Sequence, residues 1–222
     1  MKAFIVYVNG HKESEKQAEA ARASCYQSGF DAELFPGTTP ESLSDFPDWP
    51  DAKNSRVSNF KRESKTVYQH KKSCFANHYR IWNKCLELNE PVAFLEHDVG
   101  NVRKWMNTFF DELLILNAES AFKQPVFDHV QNKPWLNFGT NEYVSTPLNY
   151  RFENQWEGSG MMPGTGAYAI KPAGAIKLLA ALDEFGWEQS DFFINTTTVN
   201  IEYIVPEYFT FKSKNLNMSH GY

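Results

Sequence analysis

The sequence predicts an α/β fold: a single domain on a mostly parallel central sheet flanked by helices. Three observations carry that prediction. The chain opens with a strand, a helix and a second strand in direct succession; short apolar runs return later; and segments with one apolar helical stripe separate them. The first run, Ala3 to Val8, is almost continuously apolar, as a strand buried on both faces must be, and Asn9-Gly10 ends it. From Lys12 to Ser28 the stripe Ala18, Ala21, Cys25 marks a helix, with Gly29 as its stop. Phe30 to Phe35 then alternates, setting Ala32 and Leu34 opposite Asp31 and Glu33.

Pro36 to Lys65, rich in Pro, Ser, Asp and Lys, reads as a long loop. From Ser73 the helical spacing is strong, with Phe75, His78, Tyr79, Trp82, Cys85, Leu86 and Asn89 recurring at intervals of three and four. Pro91 cannot continue that helix, and Pro91 to Leu95 reads as a central strand that runs into Glu96-His97-Asp98. Val102, Trp105, Phe109, Leu113 and Leu116 predict a further amphipathic helix over 102–116. Ser120 to Gly160 is irregular, with one strand expected near Trp135 to Phe138. Gly164 to Ile170 is a glycine-entered strand, and Pro172 sits well as the first residue of a helix to Phe185, closed by Gly186. Ser190-Asp191 suits the start of a short helix before a strand over Val199 to Val205. The tail from Pro206 to Tyr222 is polar and reads as flexible, and without repeats or linkers residues 1–222 form one domain.

Composition narrows the function. A hydrophobic fraction of 42% supplies a real core, and a net charge of −5 gives no basic field to draw in a polyanion. His70-Lys71-Lys72 with Lys61-Arg62 is the local exception, equally readable as a solvated loop. Three cysteines without CxxC spacing, Cys25, Cys74 and Cys85, fit reduced and buried thiols rather than a disulfide framework or a zinc site. No run approaches the roughly 20 apolar residues of a membrane span, and the opening run is too short for a signal peptide. The expectation is a soluble, cytoplasmic protein.

The chemistry-bearing residues gather after the central strand. Ligands of open α/β sheets bind beyond the carboxyl ends of the strands. Glu96 and Asp98, two apart, project from one side and suit a divalent cation bridging a diphosphate; a capping or turn role is the alternative. His97 points the other way and reads as a hydrogen-bonding residue, and His78 as a core histidine able to brace the acidic loop. His220, in the Met-Ser-His-Gly of the tail, has two readings: a nitrogen ligand to the metal, or an unstructured terminus. Asp191 is either a helix cap or a general base that takes a proton from an acceptor hydroxyl.

Two of these blocks resemble glycosyltransferase family 25, the group of lipooligosaccharide sugar transferases and collagen galactosyltransferase domains. The family carries a helix of the form GxxGCxxSHxxxW and then a strand ending in an acidic EDD-like triplet. Here Ser73-Cys-Phe-Ala-Asn-His-Tyr-Arg-Ile-Trp82 and Ala93-Phe-Leu-Glu-His-Asp-Val99 stand in that order, with Cys74, His78 and Trp82 on the family's letters. Gly164-Thr-Gly-Ala-Tyr-Ala-Ile170 and Gly174-Ala-Ile-Lys-Leu-Leu179 match a second block, and Ser190-Asp191-Phe-Phe fits loosely. The sequence departs from the pattern at Ser73 for glycine, Asn77 for serine, and His97 at the centre of the triplet.

The resemblance implies a GT-A-like, Rossmann-like domain and a nucleotide-sugar donor, a UDP-hexose above all. It implies Mn²⁺ or Mg²⁺ held mainly by Asp98, with Glu96 on the ribose or a metal-bound water; the ligand reading of the tail adds His220 to that metal. Val8, Asn9, Glu96, His97, Gly164 and Thr165 then line the donor, and Asp191 is the base of an inverting transfer to a saccharide hydroxyl. Two other readings stand beside it: a phage-type transferase acting on hydroxylated bases in DNA, and a non-catalytic nucleotide- or carbohydrate-binding protein on the same fold.

Overall fold

Apolar residues on both faces of the first strand decide the architecture. In chain order the elements are β1 (Lys2–Tyr7), α1 (Lys12–Tyr26), β2 (Asp31–Pro36), a 3₁₀ turn (Pro40–Asp45), α2 (Lys65–Leu88), β3 (Val92–Glu96), β4 (Val99–Asn101) and β5 (Leu113–Ile115). There follow α3 (Ala118–Phe122), β6 (Thr146–Pro147), β7 (Ala167–Ile170), α4 (Pro172–Phe185), α5 (Ser190–Phe193), β8 (Ile201–Tyr203) and β9 (Phe209–Phe211). The computed structural model describes residues 1–53, 61–122, 146–147 and 165–212. Phe4 and Val6 of β1 enter one core, and Ala3 and Ile5 the other. Such a strand needs a helical layer on each side. α1 supplies one layer through Ala18, Ala21 and Cys25, all fully buried. α2 and α4 supply the other through Phe75, Trp82, Leu178 and Leu182.

The main sheet has the order β2-β1-β3-β7-β5-β8-β6. β1 pairs in parallel with β2 and β3, and β5 with β8. Among the described strands only β7 and β6 run against the rest. This is the mostly parallel, helix-flanked sheet that the sequence predicts.

The helices begin and end on identifiable residues. α2 starts before its apolar stripe does, because the Ser64 hydroxyl caps it by accepting the Val67 N–H at 3.0 Å. It ends on Asn89, left-handed at φ 52°. α2 also turns Lys72 inward, its ammonium 2.9 Å from Asp48 and 5.8 Å from the Trp187 ring centre, so the basic run of the sequence is not a continuous surface patch. Cys25 and Cys85 are buried as expected, whereas Cys74 is exposed.

Two expectations are corrected. Residues 102–116 are not a helix: β4 leads into an extended strap and then β5. The strap is held by its inward residues, with Arg103 over the Tyr208 ring, Trp105 against Phe30 and Tyr208, and Thr108 bonded to the Tyr208 hydroxyl. Val102 and Phe109, which the helical reading placed on the buried stripe, are 54% and 75% exposed. Of Val102, Trp105 and Phe109 only Trp105 is turned inward, and the vacancy between β7 and β8 is filled by Leu113–Ile115 as a strand. The second correction concerns the tail. Residues 207–212 are ordered, with Tyr208 and Phe209 fully buried and β9 pairing antiparallel with β4. Each ring so buried contributes about 2 kcal/mol, enough to hold a short polar-looking segment. The strand expected near Trp135 to Phe138 lies outside the described residues. No helix among the described residues is long and apolar enough to cross a membrane.

One polar knot ties α2 to the sheet. His78 Nδ1 lies 3.0 Å from the Tyr168 hydroxyl, and Trp82 Nε1–H donates to the same oxygen at 3.0 Å. Trp82 is the donor, so the hydroxyl hydrogen goes to His78, whose ring must accept. Burial holds His78 down to about 3, keeping it neutral for that task. The i, i+4 spacing of the two residues puts both over one strand residue. Tyr168→Phe is expected to cost about 1–3 kcal/mol, because two buried groups lose their partner. Denaturant unfolding checks this; an unchanged midpoint contradicts it.

Candidate active site

The carboxyl ends of β1 and β3 lie side by side, with Val6 opposite Glu96. β7 runs the other way, so its entrance meets the exit of β3: the Glu96 N–H donates to the Gly166 carbonyl at 2.8 Å. Glycine is required at that junction, since a Cβ on Gly166 would lie 2.5 Å from the Phe211 ring. This is the edge at which open α/β sheets bind ligands.

Alternation along β3 sorts the acidic triplet. Val92 and Phe94 face the α2–α4 core, and Ala93 and Leu95 face α1. Glu96 continues the first face, within electrostatic reach of Lys71 and Cys74 of α2. His97 turns to the other, where His11 and the Val6 backbone adjoin it. The Asp98 carbonyl accepts the Lys212 N–H at 2.8 Å, so β9 fixes the triplet from the far side. Asp98 Oδ1 and His97 Nε2 are buried without a hydrogen-bond partner.

The electrostatics are those of a buried acidic cluster whose charge Lys71 and His97 offset only in part. Burial, then the charges of Asp98 and Asp191, push Glu96 up to about 8, against the pull of Lys71. Burial likewise raises Asp98, opposed by His97. Cys74 reaches solvent, yet protein encloses it enough to push its thiol up to about 11, with Glu96 and Asp191 adding to the effect. A bare carboxylate oxygen beside a second carboxylate that resists ionisation fits a hard cation. No group of three or more His, Cys, Asp or Glu able to hold a metal occurs among the described residues. Two carboxylates would therefore leave the remaining positions to phosphate oxygens and water.

Asp191 does not cap its helix. Gln189 is the N-cap of α5, and the first helical N–H groups bond to the carbonyls of Gln189 and Ser190. The Asp191 carboxylate instead accepts from Thr165, through the backbone N–H at 3.2 Å and the hydroxyl at 2.9 Å. Val8 and Asn9 follow β1 onto the same edge, where the Val8 N–H is held by the Ser14 hydroxyl at 2.8 Å and Asn9 is exposed. The structure thus brings Val8, Asn9, Glu96, His97, Asp98, Thr165 and Asp191 to one edge. Gly164 and His220 lie outside the described residues.

Two neighbours were not singled out from the sequence as site residues. Lys71 looked like part of a basic run, but the helix sets it beside Glu96. Asn77 is a buried amide that accepts the Thr38 N–H at 2.6 Å and fixes the exit of β2 against α2. An asparagine on the apolar stripe between Phe75 and His78 was the signal for that bond.

A fold with acidic side chains converging at the carboxyl edge of a mostly parallel sheet is suited to nucleotide-dependent group transfer. A family model described as glycosyltransferase family 25 (LPS biosynthesis protein) matches residues 4–194. The chain belongs to that family and is a glycosyltransferase. No curated protein matches it. Among solved structures, galactosyltransferase LgtC in complex with donor and acceptor sugar analogues is 12% identical with a TM-score of 0.45, over 91% of this chain and 73% of its own. An active-site mutant of LgtC gives 10%, 0.44, 91% and 72%. Apo mouse xyloside xylosyltransferase 1 gives 10%, 0.38, 87% and 80%.

The raised Glu96 makes a pH prediction. Its folded value lies above the ordinary glutamate value of 4.5, so its contribution to stability is complete below about 4.5 and is lost as pH rises through about 8. Without added metal, the melting temperature of wild type is expected to fall relative to Glu96→Gln between pH 5 and 9. Parallel melting profiles of the two proteins contradict that assignment.

Proposed function

We propose that the enzyme transfers a hexose from a UDP-sugar to a saccharide hydroxyl with inversion, using Mn²⁺ or Mg²⁺ held by Asp98 and Glu96. The observation that carries this reading is the meeting of Glu96, Asp98 and Asp191 at one strand edge, with Asp98 Oδ1 buried and unpartnered. When bound, the cation would neutralise charge on the departing diphosphate.

The chain's own residues supply the rest. Asp191 accepts the proton of the acceptor hydroxyl as that oxygen bonds to the anomeric carbon and the bond from that carbon to the donor phosphate breaks. The products are the glycoside and the nucleoside diphosphate, with the proton left on Asp191. Glu96 and Asp98 seat the donor end, with Lys71 offsetting part of the Glu96 charge and His97 part of that on Asp98. In this reading Val8 and Asn9, which follow β1, line the nucleotide. The acidic balance of −5 accords with a saccharide acceptor rather than DNA.

A panel of UDP-sugars screened for metal-dependent hydrolysis identifies the donor without requiring the acceptor. With that donor, Asp98→Asn is expected to lower turnover at least about 100-fold while circular dichroism stays unchanged. Normal transfer by Asp98→Asn overturns the metal assignment.

A further inference from the structure

We infer that Thr165 is a positioning residue for Asp191, and that the dipeptide Thr165-Gly166 sets the separation between the base and the donor-binding carboxylates. The inference rests on Asp191 being the base. Its starting point is a carboxylate in the first turn of a helix that leaves its own helix uncapped and reaches instead to a residue 26 positions earlier. Both Thr165 donors, N–H and hydroxyl, converge on Oδ1. Two donors from one residue fix the position of that oxygen and the rotation of the carboxylate. Oδ2 is left out of the Thr165 contact and is the atom that meets the acceptor hydroxyl.

The anchor is itself rigid. Thr165 is 3% exposed, and its branched Cβ restricts its rotamers. The next residue, Gly166, accepts the Glu96 N–H and lies under the Phe211 ring. One residue therefore holds the base, and its neighbour pins the backbone of Glu96, the first residue of the triplet. No flexible loop intervenes between the two halves of the reaction centre. Reaction rates fall steeply when such groups shift by about 1 Å.

The test compares T165V, T165S and D191N with wild type under saturating metal, reading kcat, donor KM and acceptor KM separately. Valine keeps the branch and removes the donor hydroxyl; serine keeps the hydroxyl. T165V is expected to lose roughly 10- to 100-fold in kcat, the size of a lost hydrogen bond to a charged group, with donor KM within about twofold. T165S is expected to recover most of that loss. If T165V does not fold, T165A against T165S carries the same comparison.

Wild-type kcat in T165V overturns the inference. So does a loss confined to donor KM, which would make Thr165 a donor contact, or a failure of serine to rescue. D191N separates the two claims. Full activity in D191N removes Asp191 as base, whereas a strong loss in D191N beside normal T165V removes only the role of Thr165.

Discussion

Because β7 runs against β3, the residues entering β7 stand beside those leaving β3, and the bond from the Glu96 N–H to the Gly166 carbonyl closes that junction. A parallel strand in the same place would present its entrance at the opposite edge, far from the acidic triplet. The reversed strand is what lets residues near position 96 share a site with Thr165 and, through it, Asp191. The cost is electrostatic: carboxylates crowd where burial already disfavours their charge, and Glu96 responds by holding its proton.

The two faces of the sheet meet that cost with different materials. The α2–α4 face is aromatic, with His78 stacked on Phe94 at 4.1 Å and on Tyr168 at 5.8 Å between ring centres. The family letters His78 and Trp82 therefore act in packing, gripping one hydroxyl so that α2 holds Lys71 and Cys74 over the site. The α1 face is built from small residues, Ala3, Ala18, Ala21, Ala93, Ala167 and Ala169 among them. Small side chains let α1 lie close to the sheet. The β4–β9 ribbon extends the same face and anchors the Asp98 backbone.

Much of this was legible in the residues. The opening β-α-β unit, the α2 stripe, the Pro172-to-Gly186 helix and the strand leading to Glu96 all follow from local pattern, because each buries the face its sequence marks. The strap at 102–112 did not follow, since Val102, Trp105 and Phe109 satisfy helical spacing although only Trp105 is turned inward, and the deciding contacts come from Tyr208, about a hundred residues away. The stretch 207–212 is hidden for the same reason: Tyr208-Phe-Thr-Phe211 alternates, but only its pairing with β4 makes a strand of it. Within the candidate site the triplet was visible as a block after a strand. The Thr165–Asp191 bond was not, because nothing local distinguishes a reaching aspartate from a capping one.

The proposed function makes the crowded carboxylate pair Glu96 and Asp98 the donor end of this glycosyltransferase, completed by a divalent cation. Calorimetric titration of UDP into the purified protein, with and without Mn²⁺, tests that most directly. The account predicts saturable UDP binding that requires Mn²⁺ and disappears with chelator. Equal UDP affinity in the two conditions would contradict it.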